Sequence, residues 1–225
     1  MRWSLLIGWM FLMGNIAIAQ VGFSGFYSLQ NQDYWKVSYD DGTEVRLVDN
    51  VAVFGLSYKL KPFEKKRIEF IPEFNYAMKS NASFGEAKAG WGMMSVVLHT
   101  DFYPLEFNGD CHCPTFTKQN PFFKKGFFLR VSPGISLVSH QIEENNVLKK
   151  EATVKFNLGV GAGLDIGLSP RLTVTPYAVA RFYPKLNWTS LDNSLVFAGE
   201  IEKMTTNFMQ INLGLRVELQ IVDNY

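Results

Sequence analysis

The sequence lacks several features that mark common classes of protein. Lysine and arginine number 22 against 21 aspartates and glutamates, so the chain has no basic field to attract nucleic acid. Beyond residue 19, no apolar run is long enough for a transmembrane helix, and any membrane span would therefore consist of β-strands. No linker or low-complexity tract divides the chain, which predicts a single domain after residue 19.

The first 19 residues have the pattern of an export signal. Arg2 supplies a positive charge, residues 5–18 are largely apolar, and Ala17-Ile18-Ala19 fits the small-x-small rule of a cleavage site. We therefore expect residues 1–19 to be a signal peptide and residues 20–225 to form the mature domain. The residue directly after the cleavage site is Gln20 and not cysteine, which argues against a lipid anchor. In a bacterium, the export signal then directs the protein to the periplasm or the outer membrane.

The stretch Val154–Leu168 has the clearest pattern in the chain. Eight apolar residues recur at every second position, and the positions between them are polar, charged or glycine. Only a β-strand places such a series on one face. A strand in a soluble protein is usually about 5–6 residues long, whereas a tilted strand needs about 9–11 to cross a bilayer. The stretch therefore predicts a wall with lipid outside and a crowded, polar interior.

Eight segments of this kind follow residue 19. Their predicted ranges are 21–39, 43–60, 68–78, 90–103, 127–139, 154–168, 171–183 and 207–221, with a bulge near Met93 and Met94. Asp41-Gly42 predicts a tight hairpin that stands clear of the bilayer. The links at 61–67 and 169–170 are short, whereas loops near 30–48, 79–89, 140–152 and 184–206 are longer and polar.

We predict an all-β fold, an eight-stranded antiparallel transmembrane β-barrel of up-and-down topology with a filled polar interior. The alternative is a soluble β-sandwich or lipocalin-like barrel, which would bury charges such as Glu73 and Arg181 in an apolar core. Aromatic residues near the strand ends are typical of interfacial girdles. The outer set is Trp91, Phe182, Tyr183, Trp188 and Phe208, and the inner set is Phe63, Phe102, Tyr103, Phe107, Phe122, Phe123 and Phe127.

Charged residues occupy many of the predicted inward positions. The expected interior network consists of Glu69, Glu73, Asp101, Arg130, Lys155, Asp165, Arg181, Arg216 and Glu218. An eight-stranded barrel is just wide enough for side chains to fill, so these charges are expected to pair with one another and leave no open channel. A proton or ion pathway through them is the functional alternative.

The segment Asp110–Pro114 contains both cysteines, as Cys111-His112-Cys113, in a long link on the predicted periplasmic side. Three interpretations stay open. The thiols form a strained disulfide or pair with a redox partner, they are structural free thiols, or they bind a metal together with His112 and either Asp110 or His99. So few ligands this close in sequence do not complete a tetrahedral set. We therefore predict neither a metal nor a cofactor.

Candidate general bases are few, since the chain has only three histidines. Ser139 and His140 are neighbours on a strand and so point to opposite faces, which separates a nucleophile from its base. His99 and Asp101 share a face, but no nucleophile is evident beside them. We therefore predict that the protein is not an enzyme and name no catalytic residue.

The final strand has the pattern of a barrel-assembly signal, with Asn212, Gly214, Val217 and Leu219 at the matching positions. Together with the export signal and the eight alternating segments, it resembles outer-membrane β-barrels of the OmpA/OmpX-like eight-stranded type. The chain departs from that pattern because it continues to Tyr225. The segment from Asp101 to Gly134 also resembles small barrels of the Bacteroidota, some of them related to PorT, a component of a secretion system. The resemblance of the final strand to an assembly signal implies contact with the barrel-assembly machinery.

The resulting functional expectation is an integral protein of the bacterial outer membrane that acts as a structural or interaction scaffold. The first alternative is an accessory subunit of a secretion or assembly machine, which the segment around Asp110 favours. The second alternative is a lipid-modifying enzyme of the outer membrane. Expected partners are outer-membrane lipid and a periplasmic or outer-membrane protein.

Overall fold

A computed structural model describes residues 20–30, 35–39, 42, 44–63, 66–84, 87–106, 126–144, 147–169, 171–188, 199–201 and 205–220. The predicted signal peptide and the segment Asp110–Pro114 lie outside the described residues. The strands are β1 (Gln20–Gln30), β2 (Lys36–Tyr39), β3 (Glu44–Arg46), β4 (Val51–Lys59), β5 (Ile68–Phe84), β6 (Ala87–Phe102), β7 (Phe127–Glu144), β8 (Val147–Leu164), β9 (Ile166–Ser169), β10 (Leu172–Asn187), β11 (Gly199–Ile201) and β12 (Thr205–Gln220).

The larger sheet closes on itself as an eight-stranded antiparallel barrel, which confirms the predicted fold class. Its neighbours run β12, β1, β4, β5, β6, β7, β8 and β10, with β9 continuing β8 beyond a break at Asp165. The barrel closes because β12 pairs with β10 on one side and with β1 on the other. The ladder between β1 and β12 runs from Gln20 opposite Gln220 to Gln30 opposite Gln210. We call the end with the β4–β5 and β9–β10 links the inner end and the opposite end the outer end.

The wall is apolar outside, and the inner half of its interior is polar, the reverse of a soluble barrel. On β7, Leu129 and Ile135 are 48% and 57% exposed, whereas Arg130 and Ser132 between them are buried. On β8, Val154 is 65% exposed and Asn157 is buried. Period-two alternation produces this arrangement directly, and the outward face suits contact with lipid. Among the described residues, no helix is long and apolar enough to cross a membrane.

The strands at the outer end are longer than the sequence predicts. β5 continues to Phe84, β6 begins at Ala87, β7 continues to Glu144 and β8 begins at Val147. The predicted loops at 79–89 and 140–152 are therefore largely wrong. The outward positions there are mostly polar because they lie beyond the lipid, so the apolar series stops although backbone pairing continues.

One extra residue enters the wall on β5. The register between β5 and β6 shifts between Ala77 and Ser80, which pair with Met93 and Trp91. The bulge predicted at Met93 and Met94 therefore belongs to the opposite strand. A bulge places two residues of one strand against one of its partner, so it disturbs the pattern of both.

A second, three-stranded sheet of β11, β2 and β3 belongs to the outer end. β2 and β3 pair around the predicted turn, where Gly42 has a φ of 82°, the left-handed conformation that a tight hairpin turn requires. β11 pairs with β2 from Gly199 opposite Tyr39 to Ile201 opposite Val37. We refer to these three strands as the outer sheet.

Candidate functional site

The inner half of the barrel interior is filled by ion pairs centred on Lys59, the last residue of β4. Its Nζ lies 2.6 Å from Glu218 Oε2, 2.9 Å from Glu69 Oε2 and 3.6 Å from Asp165 Oδ2. The three carboxylates belong to β12, to β5 and to the break between β8 and β9. One ammonium group therefore connects four parts of the wall across the interior.

A second cationic centre joins this cluster to β6 and β7. Arg130 donates two hydrogen bonds of 2.6 Å to the carboxylate of Asp101, from Nε to Oδ1 and from Nη2 to Oδ2. Arg216 lies between the clusters, with Nη2 3.7 Å from Asp101 Oδ2 and Nε 2.9 Å from Glu218 Oε1. Arg130, Asp101 and Arg216 are fully buried side chains, so each charge depends on these partners.

Two hydroxyl groups and one further ion pair complete the inner layer. The Tyr103 hydroxyl lies 2.9 Å from Glu69 Oε2 and 2.6 Å from Asp165 Oδ2, where it can donate to either. The Thr175 hydroxyl donates to Asp165 Oδ1 at 2.6 Å. At the inner end, the Arg67 guanidinium lies 3.9 Å over the Tyr103 ring and pairs with Glu106. These contacts fill the inner mouth with packed side chains.

On the outer side of this layer, a chain of polar contacts links four neighbouring strands of the wall. Arg181 on β10 donates from Nη1 to Asn157 Oδ1, and Asn157 Nδ2 donates to Ser136 Oγ at 2.8 Å. Ser136 Oγ lies 2.7 Å from Ser95 Oγ. The chain of contacts therefore runs from β10 through β8 and β7 to β6.

Glu73, His99 and Ser132 form an acid, imidazole and hydroxyl series that the sequence did not reveal. His99 Nδ1 lies 2.7 Å from Ser132 Oγ, and His99 Nε2 lies 3.4 Å from Glu73 Oε1. The order resembles that of hydrolytic sites. All three residues are at most 3% exposed, so a substrate does not reach the Ser132 hydroxyl in this conformation. The series ties together β5, β6 and β7.

The outer half of the interior is filled by an apolar cluster that we call the plug. Its described members are Trp35, Leu47, Val48, Val51, Val53, Ala77, Ala89, Trp91, Met93, Val138, Ile142, Tyr183, Leu186, Trp188 and Phe208. The ring of Trp35 lies at its centre, with centroid distances of 5.6 Å to both Trp188 and Phe208. Apolar packing therefore seals the outer half where ion pairs fill the inner half.

The plug corrects the predicted outer girdle of aromatic residues. Trp91, Tyr183, Trp188 and Phe208 are at most 2% exposed and point inward, whereas Phe182 is 44% exposed. Nearness to a strand end does not show which face of the strand a side chain occupies. Alternation along the strand does, because Tyr183 and Phe208 lie two residues from the inward-facing Arg181 and Gln210. Tyr103 of the predicted inner girdle is also buried.

His140 is a polar residue in contact with the centre of the plug. It lies on β7 beyond Leu137, the outermost lipid-exposed apolar residue of that strand, and so outside the membrane-spanning segment. Neither ring nitrogen has a hydrogen-bond partner among the described residues. Burial lowers the pKa of His140 to about 4, against the smaller opposing effect of the Glu151 carboxylate.

The structure brings most of the predicted network residues together, but Arg181 contacts Asn157 and the Ser132 carbonyl in place of a carboxylate, and Lys155 lies apart. Lys155 is half-buried near the outer end and donates from Nζ to the carbonyl oxygen of Lys185 at 2.7 Å. Lys59, the centre of the inner cluster, was not among the predicted residues. Alternation along β4 would have placed it inside, because it lies two residues from the inward-facing Ser57 and three from the outward-facing Leu56. Of the predicted assembly residues on β12, Asn212 points inward, whereas Val217 and Leu219 are 40% and 57% exposed.

The candidate ligands Cys111, His112 and Cys113, with the rest of Asp110–Pro114, lie outside the described residues. Within the described ranges, no group of three or more histidine, cysteine, aspartate or glutamate side chains is placed to hold a metal ion. The carboxylates around Lys59 already surround its ammonium group, which occupies the position that a cation would need.

No family model matches the chain, and no curated protein matches its sequence. Among solved structures, it is similar to a major outer membrane protein from Thermus thermophilus, with a TM-score of 0.52 and 9% identity over 90% of this chain and 100% of that one. Ail, the attachment invasion locus protein of Yersinia pestis, gives a TM-score of 0.47 and 12% identity over 90% and 100% of the two chains. Neisserial surface protein A gives 0.46 and 10% over 89% and 96%. The similarity to the Thermus protein supports the fold alone, a barrel of the outer-membrane type.

Proposed function

We propose that the protein is an integral outer-membrane β-barrel that acts as a structural and interaction scaffold and conducts no solute. The filled interior carries this proposal. Ion pairs around Lys59 and Arg216 occupy the inner half, and the plug around Trp35 occupies the outer half. An eight-stranded barrel has room for side chains and little else, so two successive layers of described side chains argue against a continuous water path.

Conductance in planar lipid bilayers tests the proposal. The folded protein, verified by heat-modifiable mobility on a gel, is expected to give no stable conductance steps across the voltages at which a sixteen-stranded porin conducts in the same bilayers. A vesicle-swelling assay with small sugars provides a second measurement. Stable steps or sugar uptake by the folded protein would contradict the scaffold function and favour a transport pathway through the charged interior.

The scaffold offers a different surface at each end. The outer sheet and the extended strands β5 to β8 are available to a partner outside the cell, and the segment Asp110–Pro114 is the part that we assign to a periplasmic partner. Crosslinking in intact membranes tests the second assignment. A stoichiometric partner that is lost when residues 110–114 are deleted supports an accessory role in a PorT-like secretion machine of the Bacteroidota. An unchanged set of crosslinked proteins excludes that role and leaves the structural one.

A further inference from the structure

His140 joins the barrel wall to two tryptophans that lead into the outer sheet. Its ring stacks on Trp188, with centroids 4.5 Å apart and planes 29° apart, and meets Trp35 edge to face at 5.5 Å. Trp35 lies at the base of the β2–β3 hairpin, where its carbonyl oxygen accepts a hydrogen bond of 2.9 Å from the N–H of Leu47. Trp188 follows β10 on the way to β11. One imidazole therefore contacts both chain segments that carry the outer sheet.

The surroundings of His140 suit a neutral ring. The side chain is 2% exposed, and neither Nδ1 nor Nε2 has a hydrogen-bond partner among the described residues. A protonated imidazole carries two N–H donors, both of which require acceptors when they are buried. The indole face of Trp188 attracts a cation, but it supplies neither of those acceptors.

We propose that His140 is an acid-sensitive latch that holds Trp35 and Trp188, and with them the outer sheet, against the barrel. When the ring is neutral, it packs as an aromatic member of the plug. When it is protonated, its two donors are satisfied by water only if the tryptophans move away. Acid therefore releases the outer sheet, while the inner layer of ion pairs keeps the barrel filled.

The charges that face the ring come from one neighbouring strand. On β8, Glu151 lies opposite His140 in the antiparallel ladder and favours the protonated form. On β6, the residue opposite is Trp91, and the segments packed on the ring contribute Trp35 and Trp188. Glu151 is therefore the one charged group, within the described part of the chain, that opposes the effect of burial on this ring. Because the β7–β8 ladder stays in the wall when the tryptophans leave, Glu151 also faces the released ring and stabilises its protonated form. Removal of Glu151 therefore lowers the pKa of the released ring and shifts release to lower pH.

Tryptophan fluorescence of the mature chain in lipid vesicles measures the latch directly. The sequence has tryptophans at positions 3, 9, 35, 91 and 188, so a chain that begins at residue 20 has three, and all three belong to the plug. We expect a reversible increase in acrylamide quenching as pH falls from the ordinary imidazole range near 6.5 toward about 4. His140→Phe, which keeps an aromatic ring without a titrating group, should show no such increase.

A pair of carboxylate variants keeps the test decisive if His140→Phe does not fold. Glu151→Gln should move the midpoint of the transition to lower pH. Glu143→Gln, an exposed carboxylate on the same strand as His140, should leave the midpoint unchanged. The proposal is overturned if the wild type shows no gain in quencher access by pH 4, if folded His140→Phe shows the same gain, or if Glu151→Gln raises the midpoint or leaves it unchanged.

Discussion

Removing the charge of Asp101 should be among the most destabilising single changes in the wall. Asp101→Asn keeps the shape of the side chain but turns one acceptor of the Arg130 guanidinium into a donor. Arg130 then lacks its carboxylate in a site where both side chains are fully buried, and Arg216 loses a charge 3.7 Å from its Nη2. Leaving one member of a buried ion pair without its partner costs about 3–5 kcal/mol. Glu218 still pairs with Arg216, so the loss should fall on the Arg130 side.

Equilibrium unfolding in denaturant measures this cost. The folded fraction in lipid vesicles is followed by tryptophan fluorescence and by heat-modifiable mobility, and the shift in midpoint at constant slope gives the change in unfolding free energy. Glu106→Gln is the matched control. It weakens the pair between Glu106 and Arg67, in which the side chains are 29% and 17% exposed. This part-buried pair should cost less than the fully buried one, closer to the value of about 0–1 kcal/mol for surface pairs.

A loss of less than about 1 kcal/mol for Asp101→Asn, equal to the control, would refute the reasoning, because it would mean that water reaches Arg130 and replaces the carboxylate. The double variant Asp101→Leu with Arg130→Met separates the two effects. Replacing a buried pair by apolar residues of similar volume is often neutral. We therefore expect the double variant to recover most of the stability that the single variant loses.

Two further predictions concern other parts of the chain. Gly161→Ala should destabilise the barrel by about 1–3 kcal/mol in the same unfolding assay, because the added Cβ would collide with the backbone oxygen of Ala178, whereas Gly25→Ala, which points into open space, should cost well under 1 kcal/mol. Equal costs would contradict the close approach of β8 and β10. Ala19→Arg should block removal of the predicted signal peptide, since the cleavage site requires small residues, and intact-mass measurement should then find residues 1–19 still attached, against a wild-type chain that begins at Gln20.

The alternation of apolar residues was sufficient to predict the barrel because lipid imposes it strictly on one face. Val154 to Leu168 illustrates the rule, with period two that survives into the structure except at the break around Asp165. Above the lipid band, the outward face of a strand no longer meets lipid, so the apolar series on that face ends although the backbone ladder continues. The extension of β5 to Phe84 and of β8 down to Val147 was therefore not predictable from periodicity.

The alternation of inward and outward positions also explains which interior charges were predicted correctly and which were not. Arg130, Arg216 and Asp101 stand at alternating positions within long apolar series, so their inward direction follows from their neighbours. Lys155 follows the same parity but lies too far toward the outer end to reach the ion pairs, and its amine instead contacts the carbonyl of Lys185. Sequence periodicity specifies the face of a strand, whereas height along the barrel depends on register, which only the paired structure provides.

The register connects closure of the barrel to neutralisation of its interior. β12 brings Arg216 and Glu218 to the inner cluster, where Glu218 lies 2.6 Å from Lys59 Nζ and Arg216 lies 3.7 Å from Asp101 Oδ2. The same strand forms the closing ladder with β1, with Arg216 opposite Ser24 and Glu218 opposite Gly22. An incomplete barrel without β12 would therefore leave Lys59 short of one carboxylate and Asp101 short of one cation. Because uncompensated charges in a low-dielectric interior are costly, the pairing that closes the wall also supplies charges that stabilise its filling, and the two steps should occur together.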